Sequence, residues 1–247
     1  MQKIMDQDIT IGFEEKNKNI ARPKDLIKEH RQPQWNPYVN NEGTICAIGG
    51  KGFLVIAGDT RLSNGFSIVS RNTSKISKLT KDVFLATSGM YADFSALCKN
   101  LQARLKMYEF DSGKAPSTKS CACLLSRTLY SKRFFPFYTF NALCGFDENG
   151  VGQTYGYDAV GSYDVKNYVV LGSASQMIVP IIDCQIEGYN KEKQTFNKDN
   201  KEEVIKLIID VFNSASERDV YTGDALEIYV LEPGKEPVKQ EVKLRQD

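Results

Sequence analysis

Gly43-Thr44-Ile45-Cys46-Ala47-Ile48-Gly49-Gly50-Lys51-Gly52-Phe53-Leu54-Val55-Ile56-Ala57-Gly58-Asp59 is the stretch that decides the fold. Two short β-prone runs, Thr44 to Ile48 and Phe53 to Ala57, flank Gly49-Gly50-Lys51-Gly52, where glycine supplies the positive φ that a tight hairpin turn needs. Phe53 to Ala57 is apolar without alternation. A strand with one wet face alternates, so this one is expected to be covered on both faces.

Outward from the hairpin, strands are expected at Val83 to Ser88, at Thr139 to Phe146 and at Gly152 to Tyr157, the last two separated by the turn Asp147-Glu148-Asn149-Gly150. Between them lie two amphipathic helices. Tyr91 to Tyr108 carries Phe94, Leu97, Leu101, Leu105 and Tyr108 at helical spacing, and Ser117 to Lys132 carries Cys121, Leu124, Leu125, Thr128 and Leu129 on one side. A second helix pair follows: Ser173 to Gln185, expected to break or bend near Pro180, and the amphipathic Glu202 to Glu217, with the polar loop Lys191 to Lys201 before it. Leu226 to Leu231 and Val238 to Leu244 close the chain as strands. Strand pairs alternating with helix pairs fit two packed sheets with helices outside, a layered α+β arrangement. Upstream, residues 1–33 are rich in Lys, Asn, Glu, Asp and Gln and cannot bury enough apolar surface to fold alone, so they read as a tail or a removable pro-segment ahead of a domain at 34–247.

Composition removes several classes of function. Lys+Arg 32 against Asp+Glu 31 leaves a net charge of +1, which makes no electrostatic case for nucleic acid or an anionic membrane. No apolar run is long enough for a transmembrane helix, and the N-terminus has no apolar signal core. The six cysteines are scattered in mostly apolar surroundings without a CxxC pair, which fits reduced core thiols in the cytoplasm or nucleus and no metal site. His30 is the only histidine, so Ser/His/Asp triads, Cys/His dyads and HExxH sites are excluded together. Chemistry here has amines, carboxylates and hydroxyls to work with, and no cofactor is implied.

The run Gly43-Thr44-Ile45-Cys46-Ala47, Ala57-Gly58-Asp59-Thr60-Arg61, Lys75, Gly172-Ser173-Ala174-Ser175 and Arg218-Asp219-Val220-Tyr221-Thr222-Gly223-Asp224 resembles the proteasome beta subunits, N-terminal nucleophile hydrolases of the 20S core particle. The likeness runs from about Gln34 to Asp247. Further stretches, Trp35-Asn36-Pro37-Tyr38, Ala103 to Tyr108, Tyr130 to Pro136 and Val160 to Tyr163, are similar to a non-catalytic member. The resemblance implies a four-layer αββα sandwich. It also implies partners: adjacent beta subunits of a heptameric ring, an alpha ring, the opposite beta ring, and unfolded protein substrates in the chamber.

In active members of that family an N-terminal threonine stands where this chain has Gly43. Residues matching Asp59 and Lys75 tune it, and residues matching Ser173, Asp219 and Thr222 assist behind it. A threonine hydroxyl needs a base, and the free α-amine at the residue's own nitrogen serves. An amide nitrogen cannot, because its lone pair is delocalised into the carbonyl. Gly43 has no hydroxyl, and a cut before Thr44 places a hydroxyl one residue out of phase, on the opposite face of a strand. The expected role is therefore structural, with Lys75 and Asp59 kept as a buried pair, and mature processing is expected near Gln34. The alternative is an active threonine protease processed at Thr44. A free-standing binding module is a third reading. The resemblance further places Asp158 in the wall of a neighbour's substrate pocket, against the plainer reading of a solvated turn aspartate. Phe134-Phe135-Pro136-Phe137-Tyr138 reads equally well as core or as subunit contact.

Overall fold

The computed structural model describes residues 35–189 and 196–244. Residues 1–34, with the expected processing point at Gln34, residues 190–195 and the last three residues lie outside the described residues. Residues 35–37 carry no regular secondary structure.

From Tyr38 onward the chain forms β1 (Thr44–Gly50), β2 (Phe53–Asp59), β3 (Leu62–Asn64), β4 (Ser67–Ser70), β5 (Ile76–Lys78), β6 (Phe84–Gly89), α1 (Tyr91–Ser112), α2 (Thr118–Tyr130), β7 (Thr139–Phe146), β8 (Gly152–Tyr157), β9 (Tyr163–Lys166), β10 (Tyr168–Gly172), α3 (Ser175–Ile182), α4 (Lys201–Ser216), β11 (Ala225–Leu231) and β12 (Val238–Lys243). One five-stranded sheet has the order β10-β1-β2-β11-β12, a second has β5-β6-β7-β8-β9, and β3-β4 form a separate ribbon. Neighbouring strands pair antiparallel throughout. The opening hairpin forms with Ile48 opposite Val55, and Gly52, at φ +78°, takes the turn.

Three apolar clusters define four layers. Ile45, Ala47, Leu54 and Ile56 from the first sheet meet Phe84, Ala86, Ala142 and Cys144 from the second, which is the sheet-on-sheet seam. The opposite faces are closed by helices. Cys46, Ile48, Val55 and Ala57 pack under Ile178, Ile182, Val204, Ile208 and Phe212, while Leu85, Leu143, Tyr155 and Tyr157 pack under Phe94, Leu97, Leu101, Leu125 and Leu129. The molecule is an αββα sandwich of the N-terminal nucleophile hydrolase type. Every residue of β2 is buried, as its unbroken apolar run requires.

Two local expectations change. α1 runs on to Ser112, ending at Gly113 with φ +67°, and Leu105 is its last buried residue. Beyond that point no residue of the helix is buried, and Tyr108 stands half exposed rather than in the core stripe. α3 does not stop at Pro180. Proline removes one backbone donor and crowds the preceding turn, and here the helix continues through it and widens into a π turn over Asp183–Glu187. The cysteines divide as helix geometry demands: Cys121 is buried while Cys123, two residues on, is exposed. Burial pushes the Cys46 and Cys98 thiols up to about 12, so both stay protonated.

Candidate functional site

The end of β2 and the residue just before β5 bring a carboxylate and an ammonium together below Gly43, the residue that precedes β1. Asp59 is fully buried and Lys75 nearly so, with 3.1 Å between Asp59 Oδ1 and Lys75 Nζ. Each hydrogen of the ammonium has an acceptor, because Nζ also donates to the carbonyls of Asp59 (2.8 Å) and Arg61 (2.6 Å). Asp59 Oδ1 accepts the Thr44 N–H at 2.7 Å and Oδ2 accepts the Arg61 N–H at 3.2 Å. Burial pushes the Asp59 carboxyl above the usual range and the Lys75 ammonium below its own, and the attraction between the two opposes both shifts.

Gly43 lies directly over this pair. A Cβ built there meets Lys75 Cε at 2.3 Å, Lys75 Nζ at 2.6 Å and Asp59 Oδ1 at 2.9 Å, and the backbone has φ +87°. Lysine thus fills the volume a side chain at position 43 needs, in a backbone region L-residues rarely adopt. The Gly43 carbonyl is held by the Ser173 N–H (3.1 Å) and the Ser88 hydroxyl (3.0 Å). Gly172 lets that carbonyl approach, since a Cβ on it would sit 2.0 Å from the oxygen.

Thr44 faces away, as strand alternation dictates. Its hydroxyl is 2.9 Å from Thr222 Oγ1 and accepts the Ala174 N–H at 2.9 Å. Thr222 donates to Asp219 Oδ2 at 2.6 Å, so Thr44 is the donor to Thr222 in this chain. Ser173 Oγ donates to the same carboxylate oxygen at 2.5 Å. The fold therefore connects Gly43, Thr44, Asp59, Lys75, Ser173, Asp219 and Thr222 into one network. Asp158 stands apart, at the exposed turn between β8 and β9, where its Oδ1 accepts the N–H groups of Val160 (3.0 Å) and Ser162 (2.8 Å).

Sequence reading missed three members of this neighbourhood. Ser88 carried no signal. Arg61 and Asp224 sit inside motifs already singled out, yet their pairing is a tertiary fact: Arg61 Nε donates to Asp224 Oδ2 at 2.9 Å, Arg61 Nη1 donates to the Val220 carbonyl at 2.7 Å, and Arg71 reaches Asp224 from the surface side. Among the described residues no group of His, Cys, Asp and Glu is arranged to hold a metal ion.

This geometry can be set beside known proteins. A profile described as "Proteasome subunit" matches residues 39–231. The chain belongs to the proteasome subunit family. It is 46% identical over 211 residues to "Proteasome subunit beta type-1" of Dictyostelium discoideum, covering 83% of this chain and 89% of the relative. The proteins of the same name from Danio rerio and Arabidopsis thaliana are 44% identical over 220 residues and 47% over 210, covering 89% and 83% of this chain and 91% and 93% of theirs. Within a proteasome subunit fold, then, β1 is preceded by a glycine over a filled pocket.

Proposed function

We propose that this chain is a non-catalytic beta-ring subunit of the 20S core particle, a wall of the proteolytic chamber used in ubiquitin-dependent degradation. The observation that carries this reading is the closed volume at Gly43, where Lys75 Cε lies 2.3 Å from any Cβ. Gly43, the residue before β1, offers no hydroxyl. The next, Thr44, is fully buried, keeps its nitrogen in an amide that donates to Asp59, and spends its hydroxyl on Thr222 and Ala174. Asp59 and Lys75 act here as a matched buried pair, and Asp219 ties Ser173 to Thr222 at the end of β1. The printed names of the relatives, proteasome subunit beta type-1, support the assignment to a beta ring. Partners on this reading are the adjacent beta subunits, the alpha ring, the opposite beta ring and unfolded chains passing through. The compartments are cytoplasm and nucleus, and residues 1–33 are a pro-segment removed near Gln34.

The test is the mature N-terminus of the chain in the assembled particle, together with labelling by an epoxyketone or boronate directed at threonine. A start near Gln34 and an unlabelled chain are expected. A start at Thr44, or a covalent adduct on it, returns the chain to the active proteases. Asp158 completes the proposal as part of a neighbouring subunit's substrate pocket, supported by a carboxylate fixed in direction by two backbone donors on an exposed turn. Asp158→Ala is expected to alter peptide preference at one neighbouring site only, and unchanged kinetics at every site removes that role.

A further inference from the structure

β9 and β10 are joined by Asn167 alone, yet they lie at the edges of different sheets, so the chain turns the corner of the sandwich there. A cleft of about 850 Å³ opens at this corner, with the β10 strand on one side and Val179, Asp183 and Glu187 on the other. Register tells which backbone groups face outward. Gly49 N–H donates to the Asn167 carbonyl (2.8 Å) and Ser173 N–H to the Gly43 carbonyl (3.1 Å), at the two ends of the β1–β10 ladder. Hydrogen-bonded pairs alternate in an antiparallel ladder. Val169, opposite Ala47, and Leu171, opposite Ile45, therefore direct N–H and C=O to β1, while Tyr168 and Val170 turn theirs to the free edge. Among the described residues nothing bonds these outward groups.

An unpaired strand edge beside a cleft is a template for another strand. Its surroundings are also charged in one sense. Among the described residues, Asp158, Asp183 and Glu187 line the cleft against one cation, Lys166. Asp183 accepts the Tyr168 hydroxyl and Glu187 Oε1 accepts from Asn167 Nδ2 at 2.9 Å, so both carboxylates are positioned along the strand.

We propose that the free edge of β10 is a docking edge, where an extended segment of a neighbouring subunit, bearing lysine or arginine, adds as a sixth strand and sets its charges against Asp183 and Glu187. The partner's being another subunit rests on the assembly reading above; the strand addition does not. The segment takes its backbone bonds from Tyr168 and Val170, and its basic side chains find charge-assisted acceptors on the facing helix.

The test isolates the full-length chain in its native complex and follows amide hydrogen exchange against the free full-length chain, with a photo-crosslinking residue at Tyr189, which lines the cleft and is exposed. In the complex, the Tyr168 and Val170 amides are expected to slow about tenfold or more, while those of Val169 and Leu171 are protected in both states. The crosslink is expected on a Lys- or Arg-bearing segment of another subunit, and Glu187→Lys is expected to cut its yield severalfold. Unchanged exchange at Tyr168 and Val170 overturns the proposal, as does their protection in the free chain. Crosslinks to peptides in transit, with protection lost when substrate is washed out, overturn the choice of a subunit as occupant. A native complex without other proteasome subunits sinks the assembly reading alone, because the two amides still decide the pairing.

Discussion

Two buried ion clusters flank the end of β2, and their partners answer the cost of burial with opposite outcomes. Around Asp59 and Lys75 the protein has taken both charges out of water, and desolvation moves each toward its neutral form against their mutual attraction. Around Asp224 burial also works against the charge, but hydrogen bonds and charge from Arg61 and Arg71 outweigh it and hold the carboxyl below the usual range. Arg71 is half exposed, so the second cluster keeps one arm in water. The first cluster is a sealed one-to-one pair, and the second is a two-to-one clamp. A sealed pair contributes little net stability but is very costly to break, whereas a clamp stabilises in proportion to the ionisation of its carboxylate.

Asp59→Ala breaks the sealed pair and is expected to have the largest effect. It strands the Lys75 ammonium in a pocket with 3% exposure and removes the acceptor of the Thr44 N–H, a loss of about 3–5 kcal/mol in chain stability. Asp59→Asn combined with Lys75→Met is expected to cost clearly less than Asp59→Ala alone, and equality between them would show that the pair is not the reason for the loss. Denaturant unfolding of the full chain measures both.

Asp224→Asn opens the clamp with an effect of about 2–3 kcal/mol, because buried Arg61 loses its carboxylate while asparagine still tolerates the φ of +66° at that position. The sign with pH follows from the depressed pKa of Asp224 in the folded chain. The difference between parent and variant is fully present above the unfolded-state value of about 3.9 and disappears as pH falls through the lower folded value. A difference that grows on acidification would contradict the clamp.

Gly43→Thr restores the residue type of an active site and is expected to restore nothing else. The new Cβ must displace Lys75 and adopt φ +87°, at about 1–3 kcal/mol, and threonine-directed probes are expected to leave the chain unlabelled. Labelling of residue 43 would show that the pocket reopens readily and that its filling does not explain the missing activity.

The contrast between these clusters was only half legible in the sequence. The hairpin of β1 and β2 announced itself through an apolar run and a glycine turn, β7 and β8 through Asp147-Glu148-Asn149-Gly150, and both helix pairs through their spacing, because each is a local pattern. β3, β4, β5 and β9 are three or four residues long, too short for any period to show. Asp59 and Lys75 were found through family likeness. What was hidden was steric: no pattern tells that Lys75 lies where a residue 43 side chain belongs. Arg61 and Asp224 were also within quoted motifs, but 163 residues separate them, and their pairing follows from β2 and β11 lying side by side.

The smallest effect on folding is expected far from both clusters, in the aromatic run that the sequence left undecided between core and contact. Phe134 is 92% exposed and Phe135 63%, with Arg133 stacked over the Phe134 ring at 5.3 Å, whereas Phe137 packs against the α1–α2 core. The run is therefore split: its start faces solvent and its end is packed. Phe134→Ser removes no buried contact, so chain stability is expected to move by no more than about 0.5 kcal/mol. If the exposed ring is an interface anchor, the same variant loses incorporation into the particle in pulse-labelled assembly, since aromatic residues dominate interface energetics. Stability and assembly thus separate at Phe134, while at Asp59 they fall together, and a Phe134 variant that assembles normally would assign the ring to neither core nor contact.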